Sequence, residues 1–383
     1  MAGVFLGIGM GPIQTGIFFD GAEAAGFDRI CAAEVNKELI TAVRENRGQI
    51  TINIAGKDAI KQKVISNIEI LNPLVPDDLE KLVNIAADAD EISTALPSAA
   101  DYSKISWLSK AFKKKPGKKR LVFTSENDNY AAEKLKNRLA LDLKNTEILN
   151  TVIGKMSSAP APSAYNSATL SPLVPGLDLA HLAEEFNNIL ISSPRYTESR
   201  LSCLHPKKNL LPFEEAKLFG HNAVHFLIGL LAREKGISSM AQVRDNKGIM
   251  NYARSAFIEE SGKTLIKKWG GADEFFTSAG FTAYADDLLE RMTSRFLCDP
   301  VERVCRDMER KLGWNDRVIG LIRTALSGGI IPYKFIAAAA LGLARLYSGK
   351  TTVENDVKKI WGEWSEEQKN IWQIIFSTSF ILM

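Results

Sequence analysis

Short apolar runs alternate with helical patterns through residues 1–150, and from about residue 196 onward few strand signals remain. Alternation of that kind marks βαβ units, whose strands bury both faces in a parallel sheet covered by helices. Residues 3–8 read as a first strand, 16–25 as the helix after it and 29–33 as a second strand. Residues 91–96 and 120–124 read as later strands. The segment 157–176, rich in Ser, Ala and Pro, reads as a loop that crosses between halves or carries a short strand. Further on, residues 213–233, 240–262, 283–296, 317–326, 330–346 and 363–376 carry helical periodicity. A chain of 383 residues suits about two domains. The expected fold class is therefore α/β plus all-α. A Rossmann-like dinucleotide-binding domain would span residues 1–195, and an all-helical substrate domain residues 196–383.

The turn after the first strand is Gly7-Ile8-Gly9-Met10-Gly11-Pro12-Ile13-Gln14-Thr15-Gly16. Glycines here let the chain turn tightly and bring its backbone close to a pyrophosphate, which a helix N-terminus then favours. The strict Gly-x-Gly-x-x-Gly pattern fails in both frames, at Pro12 and at Gln14, so a plain strand-to-helix turn is the competing explanation. Glu34 strengthens the nucleotide reading. It closes the second strand, where an acid accepts hydrogen bonds from adenosine ribose hydroxyls and repels a 2′-phosphate, favouring NAD over NADP. Gly9, Gly11, Ile13, Gln14 and Glu34 are the expected cofactor residues.

A second feature lies in the helical half. Lys217, Asn222 and His225 sit on an apolar segment that runs on through Phe226-Leu227-Ile228. In an α-helix, at about 100° per residue, the three occupy a sector of about 140°. Burying such a face without polar partners is costly, so something polar should meet it. A lone lysine or histidine on such a helix is more often a snorkelling or satisfied core group.

Together these residues resemble the polyol-specific long-chain dehydrogenases, on the branch of the mannitol-1-phosphate 5-dehydrogenases. The resemblance is patchy through residues 1–160 and denser over 213–340. Lys217, Asn222 and His225 fit the family's Lys-x4-Asn-x2-His run. Glu259-Glu260-Ser261-Gly262 with Leu265-Ile266-Lys267-Lys268 is a second match, and the stretch from Asp299 to Arg317 a third. Ser125-Glu126-Asn127 looks like the family's Glu-Asn step, and Glu34-Val35-Asn36 like its Asp-Val-Asn. The resemblance implies a metal-independent oxidoreductase moving hydride between NAD(H) and the secondary alcohol or ketone of a polyol or sugar, or of its phosphate. Lys217 would be the general base. Asn127, which would also touch the cofactor, and Asn222 would steady the alkoxide-like oxygen. His225 would hold a neighbouring hydroxyl, and Glu214 would relay protons. The two asparagines come from different domains, so closure of a cleft would assemble the site. Lys217 must be desolvated to act near neutral pH, since a free lysine titrates at about 10.4.

The third match is rich in cations. Arg303, Arg306, Arg310, Lys311 and Arg317 are candidates for a phosphate clamp, with surface pairing to Glu302, Asp307, Glu309 and Asp316 as the alternative. A sugar-acid or hydroxy-acid dehydrogenase of the same layout would use these cations on a carboxylate. A catalytically silent dinucleotide-binding sensor would bind NADH without turnover. Three departures bear on substrate more than on reaction type. Thr15 stands where the family has arginine, and Gln14 where it has glycine. Gly154-Lys155-Met156-Ser157-Ser158 stands where it has Asp-Arg, an apolar pair and proline.

Composition closes off other classes. A net charge of +3 gives no footprint for nucleic acid or a membrane surface. The run Lys113–Arg120 reads as a solvated loop. Residues 1–19 are apolar but lack a basic n-region, and no stretch reaches the ~18 uncharged apolar residues of a span. Cys31, Cys203, Cys298 and Cys305 show no ligand spacing. The expectation is a cytoplasmic, metal-free monomer or homodimer.

Overall fold

The computed structural model describes residues 3–164, 170–297, 299–348 and 353–382. Cys298 and residues 165–169 of the Ser/Ala/Pro-rich segment lie outside the described residues. The chain divides into two compact units, Met1–Leu211 and Pro212–Met383.

Among the described residues the first unit carries twelve strands. In chain order they are β1 Val4–Ile8, β2 Arg29–Ala33, β3 Ile50–Ala55, β4 Ile60–Ile65, β5 Ile68–Leu71 and β6 Glu91–Thr94. Then come β7 Arg120–Thr124, β8 Thr146–Val152, β9 Ser157–Ser158, β10 His181–Glu184, β11 Ile189–Ser192 and β12 Leu204–Lys207. Eight form one sheet in the order β12-β11-β8-β7-β6-β1-β2-β5. From β5 to β8 the pairings are all parallel, so the order winds outward both ways from β1, the doubly wound arrangement of a dinucleotide fold. Val4-Phe5-Leu6-Gly7-Ile8 is apolar throughout because this central strand is covered on both faces. Its first face packs Phe5 against Phe18, Phe19 and Phe27. The opposite face packs Leu6 and Ile8 with Leu82, Ile85 and Leu108.

Two features of this unit differ from the sequence expectation. A second sheet, β4-β3-β10-β9, is present. Apart from β3, its strands lack a clean apolar alternation, and β4 is an edge strand with lysines, which blunt edge pairing. The unit boundary falls between Leu211 and Pro212 rather than after residue 195. That composition break lies between β11 and β12, which pair in parallel. The linker-like residues between them are tied under the sheet. Buried Glu147 accepts the N–H groups of Arg195 and Tyr196 at 3.0 and 2.9 Å, and Glu91 accepts that of Arg200 at 2.6 Å. Side-chain to backbone ties of this kind leave no periodicity to read.

In the second unit every element longer than a bridge is helical among the described residues. Ala223–Glu234 is buried almost all round. It packs against Lys247–Ser255, Val301–Val304 and Tyr333–Leu346, which is why its sequence is nearly all apolar. The basic run in the first unit behaves as a solvated loop: Lys115 pairs with Asp88 and Lys118 with Asp90. Arg120 alone turns inward, donating to the carbonyls of Ala87 and Lys115.

Candidate active site

In the first unit the expected cofactor residues gather at the carboxyl ends of the parallel strands. Gly9 turns the chain at φ 83°, and a Cβ there would stand 2.6 Å from the Ala95 carbonyl oxygen, so only glycine fits. A Cβ on Gly11 would meet nothing within 4 Å, which leaves that side of the turn open. Glu34 braces the turn: Oε2 accepts the Met10 N–H at 2.8 Å, and Oε1 those of Val35 and Asn36 at 2.7 and 2.9 Å. Three bonds leave a carboxylate acceptor capacity for a hydroxyl. Ile13 packs against the core beside the turn.

The family's missing glycine has a structural answer. Gln14 is fully buried, and its Nε2 donates to Ser93 Oγ on β6 at 2.6 Å. The side chain lies where a Cβ on Gly7 would be, so the glycine of β1 makes room for it. The backbone from Gln14 to Phe19 widens into a π-helix. Gln14 therefore supports the turn from below rather than presenting its amide to a ligand. Thr15, in the arginine's place, is buried too and pairs with His181 Nδ1 at 2.8 Å. Burial brings that imidazole down to about 4, so it is neutral and structural.

Asn127 is exposed at the end of β7. The residue before it is the anchor. Buried Glu126 accepts from Thr94 Oγ1 and the Leu96 N–H, each at 2.9 Å, and from the Tyr102 hydroxyl at 2.5 Å. These bonds fix the strand end that presents Asn127. In the departure run, Lys155 is buried and donates to Asn187 Oδ1 at 3.1 Å.

The helical unit brings Lys217, Asn222 and His225 into one short stretch, though not on the α-helix assumed for the 140° sector. Ala216–Asn222 is a π-helix between Leu211–Glu215 and Ala223–Glu234. An i→i+5 turn carries residues five apart toward the same face, so Asn222 comes round toward Lys217 instead of lying on the far side of His225. The second sequence match supports this widened turn. Ser261 Oγ donates to the Phe219 carbonyl at 2.9 Å, and Tyr284 to that of Ala216 at 3.4 Å. Glu260 accepts the N–H groups of Lys334 and Phe335 at 2.9 and 3.1 Å, capping the Tyr333–Leu346 helix. Ser261 and Glu260 themselves lie in a π-helix, Ala256–Gly262. Local propensity encodes none of these insertions, which tertiary hydrogen bonds hold in place.

Electrostatics set the site apart from an ordinary helix surface. Burial, aided by the Arg317 cation and opposed by buried Glu214, brings Lys217 down to about 8. His221, one turn before His225 with ring centroids 6.2 Å apart, is held well below its ordinary range. Burial is the main cause there; His225, Arg291, Lys217 and Arg317 add to it. The cations expected as a clamp divide. Lys311 turns inward, its Nζ donating to the Val304 carbonyl at 2.7 Å and lying 5.7 Å from the centre of the Phe226 ring. Burial, with Arg317 and Arg310 nearby, lowers it to about 8. Arg310 reaches Asp316 Oδ2 at 3.3 Å, and Arg317 reaches Oδ1 at 2.7 Å. Arg306 is exposed. No group of three or more His, Cys, Asp or Glu side chains suited to a metal ion occurs among the described residues.

His221, Arg291 and Asp299 are the members of this cluster to which sequence reasoning gave no role, while Arg317 was expected in the clamp rather than beside Lys217. The available signal was His221 one turn from His225; the others come from distant segments.

Residues 209–372 match the family model of the mannitol dehydrogenase C-terminal domain. The helical unit is therefore similar to the C-terminal domain of the mannitol dehydrogenases. The chain is 24% identical over 342 residues to a mannitol-1-phosphate 5-dehydrogenase of Halalkalibacterium halodurans, covering 88% of this chain and 86% of that protein. Its fold is that of the mannitol 2-dehydrogenase of Pseudomonas fluorescens, solved as a ternary complex with NAD and D-mannitol. The TM-score is 0.71 at 14% identity, over 99% of this chain and 91% of that one. A substrate-free D-sorbitol dehydrogenase superposes with TM-score 0.76 at 12% identity, over 100% and 92% of the two chains. The family-model match and the curated relative liken the chain to oxidoreductases of the polyol dehydrogenase type, and the solved structures share its fold. No helix of the described residues is long and apolar enough to cross a membrane.

Proposed function

We propose that this protein is an NAD-dependent dehydrogenase of a polyol or polyol phosphate, interconverting the secondary alcohol and the ketone with Lys217 as general base and acid. One observation carries the proposal: a lysine brought to about 8 by burial, on a π-turn shared with Asn222 and followed by His225. An amine of that pKa is divided between its two forms near neutral pH, the condition for efficient proton transfer in both directions.

The first unit suits NAD. Gly9 and the open side of Gly11 allow close backbone approach, and Glu34 keeps acceptor capacity for a ribose hydroxyl. Bound NAD would supply the hydride acceptor, and NADH the donor. In the oxidative direction Lys217 takes the hydroxyl proton. Asn222 donates to the oxygen as it gains negative charge, a contact strongest in the transition state. Glu214, buried beside Lys217, passes the proton onward. Proton transfer is thus assigned to an amine rather than to a metal-bound water. Support for a phosphorylated substrate comes from the relatives named mannitol-1-phosphate 5-dehydrogenase.

The test is NADH oxidation with fructose 6-phosphate, fructose and a panel of sugar acids, with and without a chelator. Ketose-dependent turnover that survives the chelator supports the proposal. Turnover with sugar acids alone would reassign the substrate, and NADH binding without turnover on any ketose or acid would leave a dinucleotide sensor.

A further inference from the structure

Asp299 precedes the short Val301–Val304 helix, and its side chain is only 7% exposed. Its position is fixed on three sides. The backbone carbonyl accepts the Met240 N–H at 2.9 Å, Oδ1 accepts Arg303 Nε at 2.6 Å, and Oδ2 lies 3.2 Å from His225 Nε2. Burial pushes this carboxyl up, but His225 and Arg303 outweigh it and bring it down to about 2. It is therefore a carboxylate at any working pH. The approach to His225 is oblique to the ring N–H, so attraction across the pair is mainly Coulombic.

Nε2 is buried, whereas the side chain of His225 keeps 18% of its surface open. The open part of the ring is therefore away from Nε2. A bare Nε2 lone pair facing a buried carboxylate would be repelled, and a protonated Nε2 is attracted. The hydrogen carried by one ring nitrogen decides what the other can do. Along the helix the ring of His221 lies 6.2 Å away, and Arg303 stands behind Asp299. Lys217, Arg291 and Arg317 act on His221.

We propose that Asp299 is a positioning residue that keeps the proton of His225 on Nε2, so that Nδ1 accepts a hydrogen from a substrate hydroxyl next to the reacting carbon. This rests on the polyol reading for its substrate, though not for its geometry. The consequence is specificity. A hydroxyl has a hydrogen to give to Nδ1, while a carboxylate or a second carbonyl at that position has none and would be refused.

The test uses the full chain labelled with ¹⁵N-histidine, at a pH where the imidazole is neutral. Only four histidines contribute signals, and His225→Gln assigns the one needed. The expected wild-type spectrum shows His225 protonated on Nε2, and Asp299→Ala should show averaging between tautomers. A wild-type His225 protonated on Nδ1 overturns the proposal without any variant having to fold. An unchanged Nε2 pattern in folded Asp299→Ala overturns it equally. In kinetics, Asp299→Ala should raise KM for the polyol about tenfold or more, as loss of a charge-supported hydrogen bond does. NADH affinity should stay unchanged, and the penalty should vanish with a substrate lacking the neighbouring hydroxyl. A penalty that persists with that deoxy substrate assigns Asp299 a merely structural role. If the wild type turns over no polyol or ketose, the functional reading fails and the tautomer measurement still decides this proposal.

Discussion

The glycine turn of the first unit and the π-turn of the second build their sites by opposite means. At the glycine turn the groups proposed to meet the cofactor are backbone atoms and one carboxylate held by three N–H bonds. At the π-turn the proposed site is made of side chains that titrate: Lys217 at about 8, with neutral His221, and Asp299 held charged. Damage at the first should come from steric change and depend little on pH. Damage at the second should come from charge and follow pH closely.

The largest expected effect is at Lys217. Lys217→Ala should lower kcat by roughly 10²–10⁴, the usual contribution of a general base, with NADH affinity retained in a fluorescence titration. In the wild type, alcohol oxidation should rise with pH toward about 8 as the amine loses its proton, and ketone reduction should fall over the same range. A profile flat through that range, or full activity in Lys217→Ala, would end the assignment.

Gly9→Ala should break the other side of the comparison. Positive φ and the Ala95 carbonyl both oppose a Cβ. Strain of roughly 1–3 kcal/mol at the turn should weaken NADH binding about tenfold or more, equally at all pH values. A pH-dependent loss would contradict the distinction drawn between the two sites.

A smaller effect concerns stability. Between about 8 and 10.5 the unfolded chain holds a proton on Lys217 that the native state lacks, so this group makes stability rise with pH across that window. Below it the native state carries the full penalty. Lys217→Met should therefore stabilise the protein at pH 7, by roughly 1–2 kcal/mol after allowing for partial solvent screening. The gain should fade as pH climbs through the window, as thermal melts across the pH range would reveal. The proposed base would thus be maintained against stability.

The smallest effect separates the clamp candidates. Lys311 faces the Val304 carbonyl, so Lys311→Met should change the KM ratio of phosphorylated to free ketose by less than about twofold. Arg306→Ala tests the exposed candidate in the same assay. A collapse of phosphate preference in Lys311→Met would mean that its amine turns outward when substrate binds.

Much of the fold was legible because periodicity is a local signal. β1, β2 and β7 read as continuous apolar runs, and the later helices as amphipathic repeats. The second sheet escaped because a lysine-bearing edge strand such as β4 has no pattern of its own, although β9 falls in the segment read as a loop or a short strand. At the site, the Lys-x4-Asn-x2-His run was visible as polar residues where an apolar face should be. Asp299 was not, since nothing in the chain around it distinguishes a buried carboxylate from the solvated acids nearby.

By itself the sequence determined the order of a doubly wound nucleotide fold before a helical unit, and the residue types at the glycine turn and on the Lys217 helix. Those follow from backbone sterics and from burial at short range. Only the tertiary structure decided that the helix widens into a π-turn held by Ser261, that Gln14 lies beneath the turn, and that Lys311 faces inward. It also decided which cations shift Lys217. Desolvation and Coulomb attraction depend on neighbours close in space and distant in sequence, which no local pattern records.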